Sequence, residues 1–453
     1  MSNEVIKIHH LAEIASEDRD RILKRGLVEA ESVIKDVEEI INNVRRRGDQ
    51  ALVEYTKKFE DIDIPLGGIG VSSEEIKEAY NSIEARVVKA IETLTGNVRR
   101  FHEAQVPRKM WAMEISPGLI GGQISIPIER VGCYVPGGRG WFPSAVMMSV
   151  CPAKAAGVKD VIVCTPAAPG GKVNPGTLVA CDIAGADQVY RVGGAHAVAA
   201  MAYGTETIPR VSKITGPGSK WVLAAFRLLQ GQVAIGTAAG PGEGLIVADD
   251  SAKPSYVAAD IIIQAEHGVD STGVLVTSSE RLARQVQELV RAHIEQLDEQ
   301  HKHFVKESLR KYGAIIVTKT HEEAIAFANE YAAEHLEIQT REPMHDMLKI
   351  RNAGGIYVGH HAPLSTGCFG SGPNHVLPTG RQAVVEGGLS TAHFLKAVTF
   401  EFFSEDGLAH LKDAMTTLAD YEGFPAHRNA ILERFREQAL RENMPMHPHE
   451  GHL

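Results

Sequence analysis

The sequence predicts an α/β protein with two tandem α/β units, a helical N-terminal region and a helical C-terminal tail. First, the chain has 453 residues, 44% of them hydrophobic and 23% charged, which is long enough for more than one hydrophobic core. Second, short apolar runs alternate with helical stretches between about residues 131 and 240. Third, a similar series follows residue 240. Such alternation is typical of a parallel sheet with helices on both faces.

The first hundred residues predict helices that support the sheets and carry no chemistry. Residues 16–57 are rich in charged side chains, with apolar residues at helical spacing. These apolar residues are Ile34, Val37, Ile40, Ile41 and Val44. A second helical pattern covers residues 73–102. From about Met113 the pattern changes to short β-like runs.

The first alternating series has glycine turns where its strands are predicted to end. Ligands of parallel α/β sheets lie beyond the carboxyl ends of the strands, and Gly193-Gly194 and residues 216–218 fall there. Glycine lets backbone N–H groups approach a phosphate, and the following helix N-terminus favours negative charge. No strict GxGxxG follows a strand, so a dinucleotide site and simple tight turns both stay open. Strands are predicted at 160–165 and 188–192, and helices at 144–156, 175–184 and 197–203.

The second series carries polar residues at the ends of its elements. Its strands are predicted at 245–248, 273–277, 314–318 and 355–358. Past residue 389 the chain is predicted to be helical again, up to a last helix at 430–440. The polar residues are Gln264 and His267, then Glu334 and His335, then Cys368 and His375 in a glycine-rich loop.

Composition and charge exclude several classes of protein. The formal net charge of −10 is spread along the chain without a Lys/Arg run, so no nucleic-acid partner is expected. The N-terminus lacks an apolar signal core, and no stretch approaches the roughly 20 apolar residues of a membrane span. A cytoplasmic protein without a membrane partner is therefore expected. The five cysteines show no CxxC spacing, so neither a disulfide framework nor a structural zinc site is indicated, and four are expected to be inert core residues.

Two pairs of residues are candidates for chemistry. If residues 257–266 form a helix, Gln264 and His267 can point the same way and form half of a metal site. Such a pair is also common at a solvated helix end. Glu334 and His335 can act as a general acid–base pair, although adjacent polar residues are also common on surfaces.

Cys368 and His427 leave further alternatives open. Cys368 is a candidate zinc thiolate, a candidate nucleophile or a buried small residue. The nucleophile is the least favoured of these, because no basic partner lies near it in sequence and an unactivated thiol is mostly protonated at neutral pH. His427 lies in a distant helical region and can join the site only if the C-terminal segment folds back or crosses to a partner subunit.

Seven short motifs, standing in a fixed order, cover most of the chain from about residue 37 to residue 429. They are Cys133-Tyr-Val-Pro-Gly-Gly138, Ile214-Thr-Gly-Pro-Gly218, Ala239-Gly-Pro with Glu243, Gln264-Ala-Glu-His-Gly268, Tyr331 with Glu334-His-Leu-Glu-Ile338, Asn374-His-Val-Leu-Pro-Thr379, and Glu422-Gly with Ala426-His427. In residues and order they resemble the motifs of the histidinol dehydrogenase family.

The resemblance implies an architecture. Members of this family have two incomplete Rossmann-like domains, a helical N-terminal region and a C-terminal tail exchanged between the subunits of a homodimer. By this resemblance, residues 1–30 form the N-terminal helical segment, and residues 31–130 and 241–385 form the first α/β domain, with the metal and catalytic residues. Residues 131–240 form the second Rossmann-like domain, which binds NAD, and residues 386–453 form the helical tail.

The resemblance also implies a catalytic zinc ion. Gln264, His267 and His427 match three of the family's four zinc ligands. Cys368 stands where the family has Asp. Because a cysteine thiolate is a good zinc ligand, coordination by nitrogen, oxygen and sulfur together is chemically reasonable.

Further positions imply the reaction and its coenzyme. The family oxidises a primary alcohol through an aldehyde to a carboxylate and reduces two NAD. His335 matches the residue that takes the alcohol proton, and Glu334 matches the one that activates water. Tyr134 matches an NAD contact, whereas His196 stands where the family has Gln and Ser219 where it has Asn.

The substrate side differs from the family's pattern. His375 and Glu422 keep their positions, but Gly242 replaces a Ser that contacts histidinol, a loss of about 0.5 to 1.5 kcal/mol of binding if nothing replaces its hydroxyl. We therefore expect a dehydrogenase whose substrate has shifted to another polar primary alcohol, such as a dihydroxypropanesulfonate. The alternatives are true histidinol oxidation, a zinc hydrolase, and an inactive ligand-binding relative.

Overall fold

The structure is a computed structural model that describes residues 5–25, 31–137 and 140–436. Part of the predicted N-terminal segment 1–30 and the end of the predicted last helix, residues 437–440, lie outside the described residues. The chain divides into two compact units. Unit 1 comprises Met1–Val106 and Pro127–Leu395, and unit 2 comprises Pro107–Ile126 and Lys396–Leu453.

Helices and strands alternate through most of unit 1. In chain order the elements of the described residues are β1 (Ile8–His10), α1 (Ser16–Lys24), α2 (Ile34–Arg47), α3 (Asp49–Glu60), α4 (Ser73–Ser82), α5 (Ala85–Ala104), β2 (Met110–Ser116), β3 (Leu119–Pro127), β4 (Arg130–Tyr134), α6 (Pro143–Ala155), β5 (Asp160–Cys164), α7 (Pro175–Ala184), β6 (Gln188–Tyr190), α8 (Gly194–Tyr203), β7 (Lys213–Pro217), α9 (Lys220–Leu229), β8 (Ala234–Ala239), β9 (Glu243–Ala248), α10 (Pro254–Ala265), β10 (Thr272–Thr277), α11 (Glu280–Ile294), α12 (Glu299–Tyr312), β11 (Ala314–Val317), α13 (His321–Tyr331), β12 (His335–Gln339), α14 (Pro343–Met347), β13 (Gly355–Val358), α15 (Leu364–Cys368), β14 (Leu395–Phe403), α16 (Glu405–Tyr421) and α17 (Pro425–Glu433).

Five parallel strands form one sheet of unit 1, in the order β6-β5-β4-β7-β8. Successive side chains of a strand point to opposite faces. In β5, Val161 and Val163 join a core with helices α5, α6 and α7, whereas Ile162 and Cys164 join a core with α2, α8 and α9. The predicted parallel sheet with helices on both faces is confirmed here.

Six parallel strands form the other sheet of unit 1, in the order β1-β11-β10-β9-β12-β13. In β9, Ile246 and Ala248 pack with helices α10, α11 and α12, whereas Leu245 and Val247 pack with α1 and α13. The second predicted α/β unit is therefore also confirmed. The short strand β1 at its edge had no clear signal in the sequence.

The N-terminal helices pack on the helices that cover the five-stranded sheet. Helix α2 contacts α8 and α9, α4 contacts α7, and α5 contacts α6 and α7. Val37, Ile40, Ile41 and Val44 of α2 are buried, as their spacing predicts. The helix α2 ends at Gly48, whose φ of 52° favours glycine. The domain boundaries implied by the family resemblance stay predictions.

Unit 2 holds a three-stranded sheet, in the order β14-β3-β2, and the helices α16 and α17. The predicted helical C-terminal region is confirmed in α16 and α17, but the helices do not begin directly after residue 389, because Leu395–Phe403 is a strand. Its sequence, with Val398, Phe400, Phe402 and Phe403, is rich in the β-branched and aromatic residues that favour strands.

Four of the five cysteines lie in the core, as their apolar surroundings in the sequence predict. Cys133, Cys151, Cys164 and Cys181 are buried free thiols, and burial raises the pKa of each. Across the helices of the described residues, none is long and apolar enough to span a bilayer.

Candidate functional site

Helix α10 carries the first predicted metal ligands. It begins with a proline in its first turn, where the missing N–H costs nothing, and has no glycine or proline after it until Gly268. Gln264 is buried in its last turn, 3% exposed, and the His267 N–H donates to the Gln264 carbonyl at 3.2 Å. His267 keeps exposed surface, yet desolvation, and after it the charge of His335, lowers its pKa. A neutral imidazole is the form that can bind a metal ion.

Cys368 meets Gln264 across the site. The Gln264 amide Nε2 lies 3.7 Å from Cys368 Sγ, and His375 Nδ1 lies 2.8 Å from the Cys368 carbonyl oxygen. Burial lowers the pKa of His375 to about 4. Asn374 fixes this loop on the five-stranded side of unit 1, since its Nδ2 donates to the Met148 carbonyl at 2.6 Å.

Glu334 and His335 lie where strand β12 begins, beside the start of β9. Both are buried, at 4% and 3% exposure. The Glu243 N–H donates to Glu334 Oε2 at 2.8 Å, and His335 Nδ1 lies 3.3 Å from the same oxygen. Ala332, with φ 51°, turns the chain out of α13 just before this pair. The pair is therefore fixed at the amino edge of the six-stranded sheet.

The two residues of this pair shift each other's protonation. Burial raises the pKa of Glu334, and His335 partly offsets this. Burial disfavours the imidazolium of His335, but the charges of Glu334 and the Cys368 thiol outweigh it and raise its pKa to about 10. An acid and a base held in contact can pass a proton between them.

Most of the predicted residues of this site come together in unit 1. A Cβ at Gly242 would collide with Gln264 Oε1, and one at Gly244 would lie 3.3 Å from Gln264 Cγ. Gly244 pairs with His335 in the register of β9 and β12. The neighbouring residues are Gly242, Gln264, His267, Glu334, His335, Cys368 and His375.

The remaining two predicted residues belong to unit 2. Glu422 caps the end of α16 and His427 lies in α17, and both are exposed. In the part of the chain that the structure describes, no three His, Cys, Asp or Glu side chains lie close enough to hold a metal ion. The predicted zinc ligands are not such a group of three. They include the amide of Gln264, and one of them, His427, belongs to unit 2.

A buried ion pair that the sequence did not predict supports the Glu334 segment. Arg25 Nη2 lies 2.6 Å from Glu243 Oε2, with side chains only 1% and 6% exposed. The Arg25 guanidinium also lies 3.9 Å from the Tyr331 ring centre and donates to the carbonyls of Tyr331 and Ala332 at 3.0 and 3.2 Å. Glu243 Oε1 accepts from the Gly380 N–H at 2.7 Å. Arg25 thus joins segments that are distant in sequence, and it lies outside the recognised motifs, whereas its partners Glu243 and Tyr331 stand in them.

A second buried polar group, also missed, lies one helical turn before Gln264. Gln339 Nε2 donates to Asp260 Oδ2 at 2.9 Å and to Glu337 Oε1 at 2.6 Å. Burial raises the pKa of both carboxyl groups, and the Asp260 charge raises that of Glu337 further. Two carboxyl groups so close share a proton. The signal in the sequence was a carboxylate inside each of two apolar runs.

The predicted nucleotide contacts lie at the carboxyl ends of the five-stranded sheet. Tyr134 ends β4, and its hydroxyl oxygen accepts from the Gly194 N–H at 3.1 Å. Gly216, with φ 128°, has no room for a Cβ against the Tyr134 carbonyl. Ser219 is the exposed N-cap of α9, and its side chain makes no cap bond. His196 is 1% exposed.

The His196 imidazole is neutral and lacks hydrogen-bond partners among the described residues. Its two ring nitrogens are buried without a partner, and burial lowers its pKa to about 3. The ring packs 5.8 Å from Tyr55 and 6.1 Å from Phe59. A buried polar group left unpaired is costly, so this ring offers one donor and one acceptor to a polar ligand.

Comparison with known proteins gives consistent matches over nearly the full chain. The model of the family described as histidinol dehydrogenase matches residues 23–435. A histidinol dehydrogenase of Methanothermobacter thermautotrophicus is 44% identical over 416 residues, 92% of this chain and 96% of that protein. A histidinol dehydrogenase homolog of Colwellia psychrerythraea is 40% identical over 437 residues, 96% of this chain and 98% of that protein.

One solved structure has the same fold. The crystal structure of histidinol dehydrogenase from Elizabethkingia anophelis matches with a TM-score of 0.91 at 32% identity, covering 97% of this chain and 100% of that one. Two parallel α/β sheets, with glycine turns on one and a buried Glu-His pair on the other, agree with the fold of this NAD-linked oxidoreductase family. The chain belongs to the histidinol dehydrogenase family, as its motifs predicted.

The buried ion pair gives a stability prediction. Arg25→Ala leaves the Glu243 carboxylate buried without its partner, which typically costs about 3 to 5 kcal/mol. We expect a clearly lower melting temperature by circular dichroism. Arg19→Ala is the matched control, because Arg19 pairs with Glu330 at 2.6 Å with side chains 41% and 35% exposed, and such pairs contribute about 0 to 1 kcal/mol. Equal small shifts in both variants would contradict the role given to Arg25.

Proposed function

We propose that the chain is a zinc-dependent, NAD-linked dehydrogenase that oxidises L-histidinol through an aldehyde to a carboxylate. The observation that carries the proposal is the buried Glu334–His335 pair beside Gln264 and Cys368. Histidinol is better supported than the shifted substrate expected from the sequence. The relative at 44% identity covers 92% of the chain and is named histidinol dehydrogenase, and the relative at 40% identity is named a homolog of that enzyme.

The donor atoms fit a zinc ion in their chemistry. Gln264, His267 and Cys368 offer an amide oxygen, a neutral imidazole and a thiol, and His427 offers a second imidazole. Such mixed sets suit zinc, and Gln264 and Cys368 already lie 3.7 Å apart. When bound, zinc would polarise the oxygen of the alcohol and of the aldehyde.

In the first oxidation His335 first passes its own proton to Glu334, whose pKa is raised by burial, and the neutral imidazole then receives the hydroxyl proton of the alcohol. The hydride on the same carbon passes to the nicotinamide, so alcohol and NAD⁺ give aldehyde, NADH and one proton. Glu334, 3.3 Å from His335 Nδ1, stabilises the charged imidazole and relays its proton. The burial of both side chains keeps bulk water from competing for that proton.

In the second oxidation Glu334 takes a proton from a water molecule whose oxygen bonds to the aldehyde carbon. A second hydride passes to a second NAD⁺. In total, one alcohol, one water and two NAD⁺ give one carboxylate, two NADH and three protons. Glu334 suits this task because the Glu243 N–H at 2.8 Å fixes only one carboxylate oxygen and leaves the other for water.

The carboxyl edge of the five-stranded sheet fits NAD. Tyr134 and Ser219 lie at its glycine turns, and the unpaired ring nitrogens of His196 can bond a polar ligand. Gly216 leaves the backbone open for close approach. We propose these three side chains as nucleotide contacts.

Two departures from the family's pattern favour a second candidate substrate. Gly242 faces Gln264 without the hydroxyl that the family carries there, and Cys368 replaces an Asp. Another polar primary alcohol, such as a dihydroxypropanesulfonate, is therefore the second candidate. A comparison of kcat/KM for the two alcohols separates them, and a hydrolase or an inactive relative would reduce no NAD with either.

We also propose a homodimer in which unit 2 completes the site of a partner. Unit 2 exposes large apolar side chains, and such surfaces commonly mark protein interfaces. They include Trp111 (46% exposed), Met113 (58%), Ile115 (62%), Phe402 (60%), Tyr421 (87%) and Phe424 (51%). Exposed Glu422 and His427 lie on the same unit and are the proposed contributions to substrate and metal binding.

Glu334→Gln tests the two-step mechanism. We expect oxidation of the aldehyde to fall by about 10² to 10⁴-fold, typical of a lost general base, and oxidation of the alcohol to fall less. The measurement is the initial rate of nicotinamide reduction with each substrate. Glu322→Gln, at an exposed glutamate in α13, is the control. Equal losses in both steps would remove Glu334 from its assigned role.

Cys368→Ser tests the metal site. A hydroxyl binds zinc more weakly than a thiolate, so the zinc content per chain should fall after gentle purification, as measured by elemental analysis. Cys181→Ala, which removes a buried thiol of α7, should keep the wild-type zinc content. Unchanged zinc in Cys368→Ser would exclude Cys368 as a ligand.

Mixed dimers test the shared site. His267→Ala and His427→Ala should each be inactive alone, but dimers that combine one chain of each keep one intact site if His427 serves the partner. Random mixing then restores about a quarter of the wild-type activity, by the symmetry of a two-site dimer. No recovery, with dimers present by analytical ultracentrifugation, would mean that His427 serves its own chain.

A further inference from the structure

The strand order of the five-stranded sheet assigns a position to each part of a dinucleotide. Counted along the chain, β4 to β8 are strands one to five, and their order β6-β5-β4-β7-β8 is the 3-2-1-4-5 order of dinucleotide-binding folds. Such folds hold the adenosine ribose with an acidic residue near the carboxyl end of the second strand. The second strand here is β5, and the residues after it, Thr165-Pro166-Ala167-Ala168, contain no acid.

Glu60, from a distant part of the chain, places a carboxylate at that position. It is the last residue of α3 and makes a hydrogen bond with the backbone of Ala167. Its Oε1 lies 2.9 Å from where a Cβ of Gly193 would stand, and Pro166 Cβ lies 2.7 Å from the same point. The carboxylate therefore lies against the turn after β6 and beside the end of β5.

One oxygen of the Glu60 carboxylate is available to accept a hydrogen bond. Its Oε2 is buried without a hydrogen-bond partner among the described residues. The lysines that precede it are directed elsewhere, since Lys57 pairs with Asp61 and Asp63 and Lys58 lies 5.4 Å from the Phe59 ring centre. Burial raises the pKa of Glu60 to about 7, and the hydrogen bond with the backbone of Ala167 offsets part of this rise.

The turn next to Glu60 already holds a proposed nucleotide contact. The Tyr134 hydroxyl binds the Gly194 N–H at 3.1 Å, one residue after the glycine that Glu60 touches. Burial, and to a smaller extent the Glu60 charge, raises the pKa of Tyr134, so the two side chains are close neighbours. A ligand on Tyr134 is therefore within reach of Glu60.

We propose that Glu60 accepts a hydrogen bond from the adenosine ribose hydroxyl of NAD and makes the site reject NADP. This inference rests on the proposed function. The 2′-phosphate of NADP would bring up to two negative charges against the carboxylate, and none of the arginines and lysines in the described parts of the chain forms an ion pair with Glu60. Sites for NADP place an arginine there instead.

Binding titrations with purified, zinc-loaded protein test the proposal independently of turnover. Isothermal titration calorimetry gives Kd for NAD and for NADP, and we expect NAD to bind at least about 10-fold more tightly, the effect of one strong hydrogen bond to a charged group. Glu60→Gln should bring the two Kd values closer together, because it should weaken the binding of NAD and strengthen the binding of NADP. Asp61→Asn is the matched control, since the Asp61 side chain is 93% exposed on the next residue, and should leave the ratio unchanged.

A cycle with 2′-deoxy-NAD, modified in the adenosine ribose, separates direct contact from a merely structural role. The wild type should bind this analogue about 10-fold more weakly than NAD, whereas Glu60→Ala should bind both equally. Melting temperatures of the variants confirm that they are folded. The inference would be overturned if the wild type and Glu60→Ala lost the same factor in affinity on going from NAD to 2′-deoxy-NAD. Equal affinity of the wild type for NAD and NADP would also overturn it. Failure of the wild type to bind either coenzyme would instead overturn the proposed function.

Discussion

The buried ion pair between Arg25 and Glu243 is the interaction on which the rest of the site depends. Burial of two charges is costly unless each is fully bonded. Here Arg25 also binds the carbonyls of Tyr331 and Ala332, and Glu243 also binds the Gly380 N–H. The backbone of Tyr331 and Ala332, just before Glu334, is therefore held by hydrogen bonds from a charged guanidinium, which restricts its movement. The backbone N–H of the same Glu243 then fixes the carboxylate of Glu334.

The two sheets of unit 1 carry different groups of candidate site residues. The five-stranded sheet offers the carboxyl ends of its strands, where glycine turns and helix N-termini suit a dinucleotide. The six-stranded sheet offers its amino edge instead, because Glu334 and His335 stand at the start of β12 and Gly242 precedes β9. Helix α10 ends at this edge and brings Gln264 to Cys368. Most of the candidate site residues thus lie at or beside the ends of helices and strands.

Sequence patterns predicted the parts of the structure that depend on local spacing. Alternating apolar runs predicted both parallel sheets, and the i to i+4 spacing of Val37, Ile40, Ile41 and Val44 predicted the buried face of α2. Short motifs predicted the Glu334–His335 pair and the approach of Gln264 to Cys368. The family was identified correctly from the same motifs.

Features that depend on partners distant in sequence could not be predicted in this way. Arg25 meets Glu243 across more than two hundred residues, and Glu60 reaches Gly193 only because α3 packs near the end of β5. Asp260 and Glu337 each lie alone in an apolar run, so the sequence does not predict that their carboxyl groups are neighbours. The Val and Phe residues of β14 favour a strand, but its partner β3 lies far earlier in the chain.

The most direct test of the account is the yield of reduced nicotinamide per molecule of L-histidinol consumed to completion. In the proposed mechanism His335 takes the alcohol proton and Glu334 the proton of the water, so two hydride transfers are expected. The account predicts two molecules of NADH per histidinol, with the carboxylate as the final product. A yield of one, with free aldehyde as the product, or no reduction of NAD at all, would contradict it.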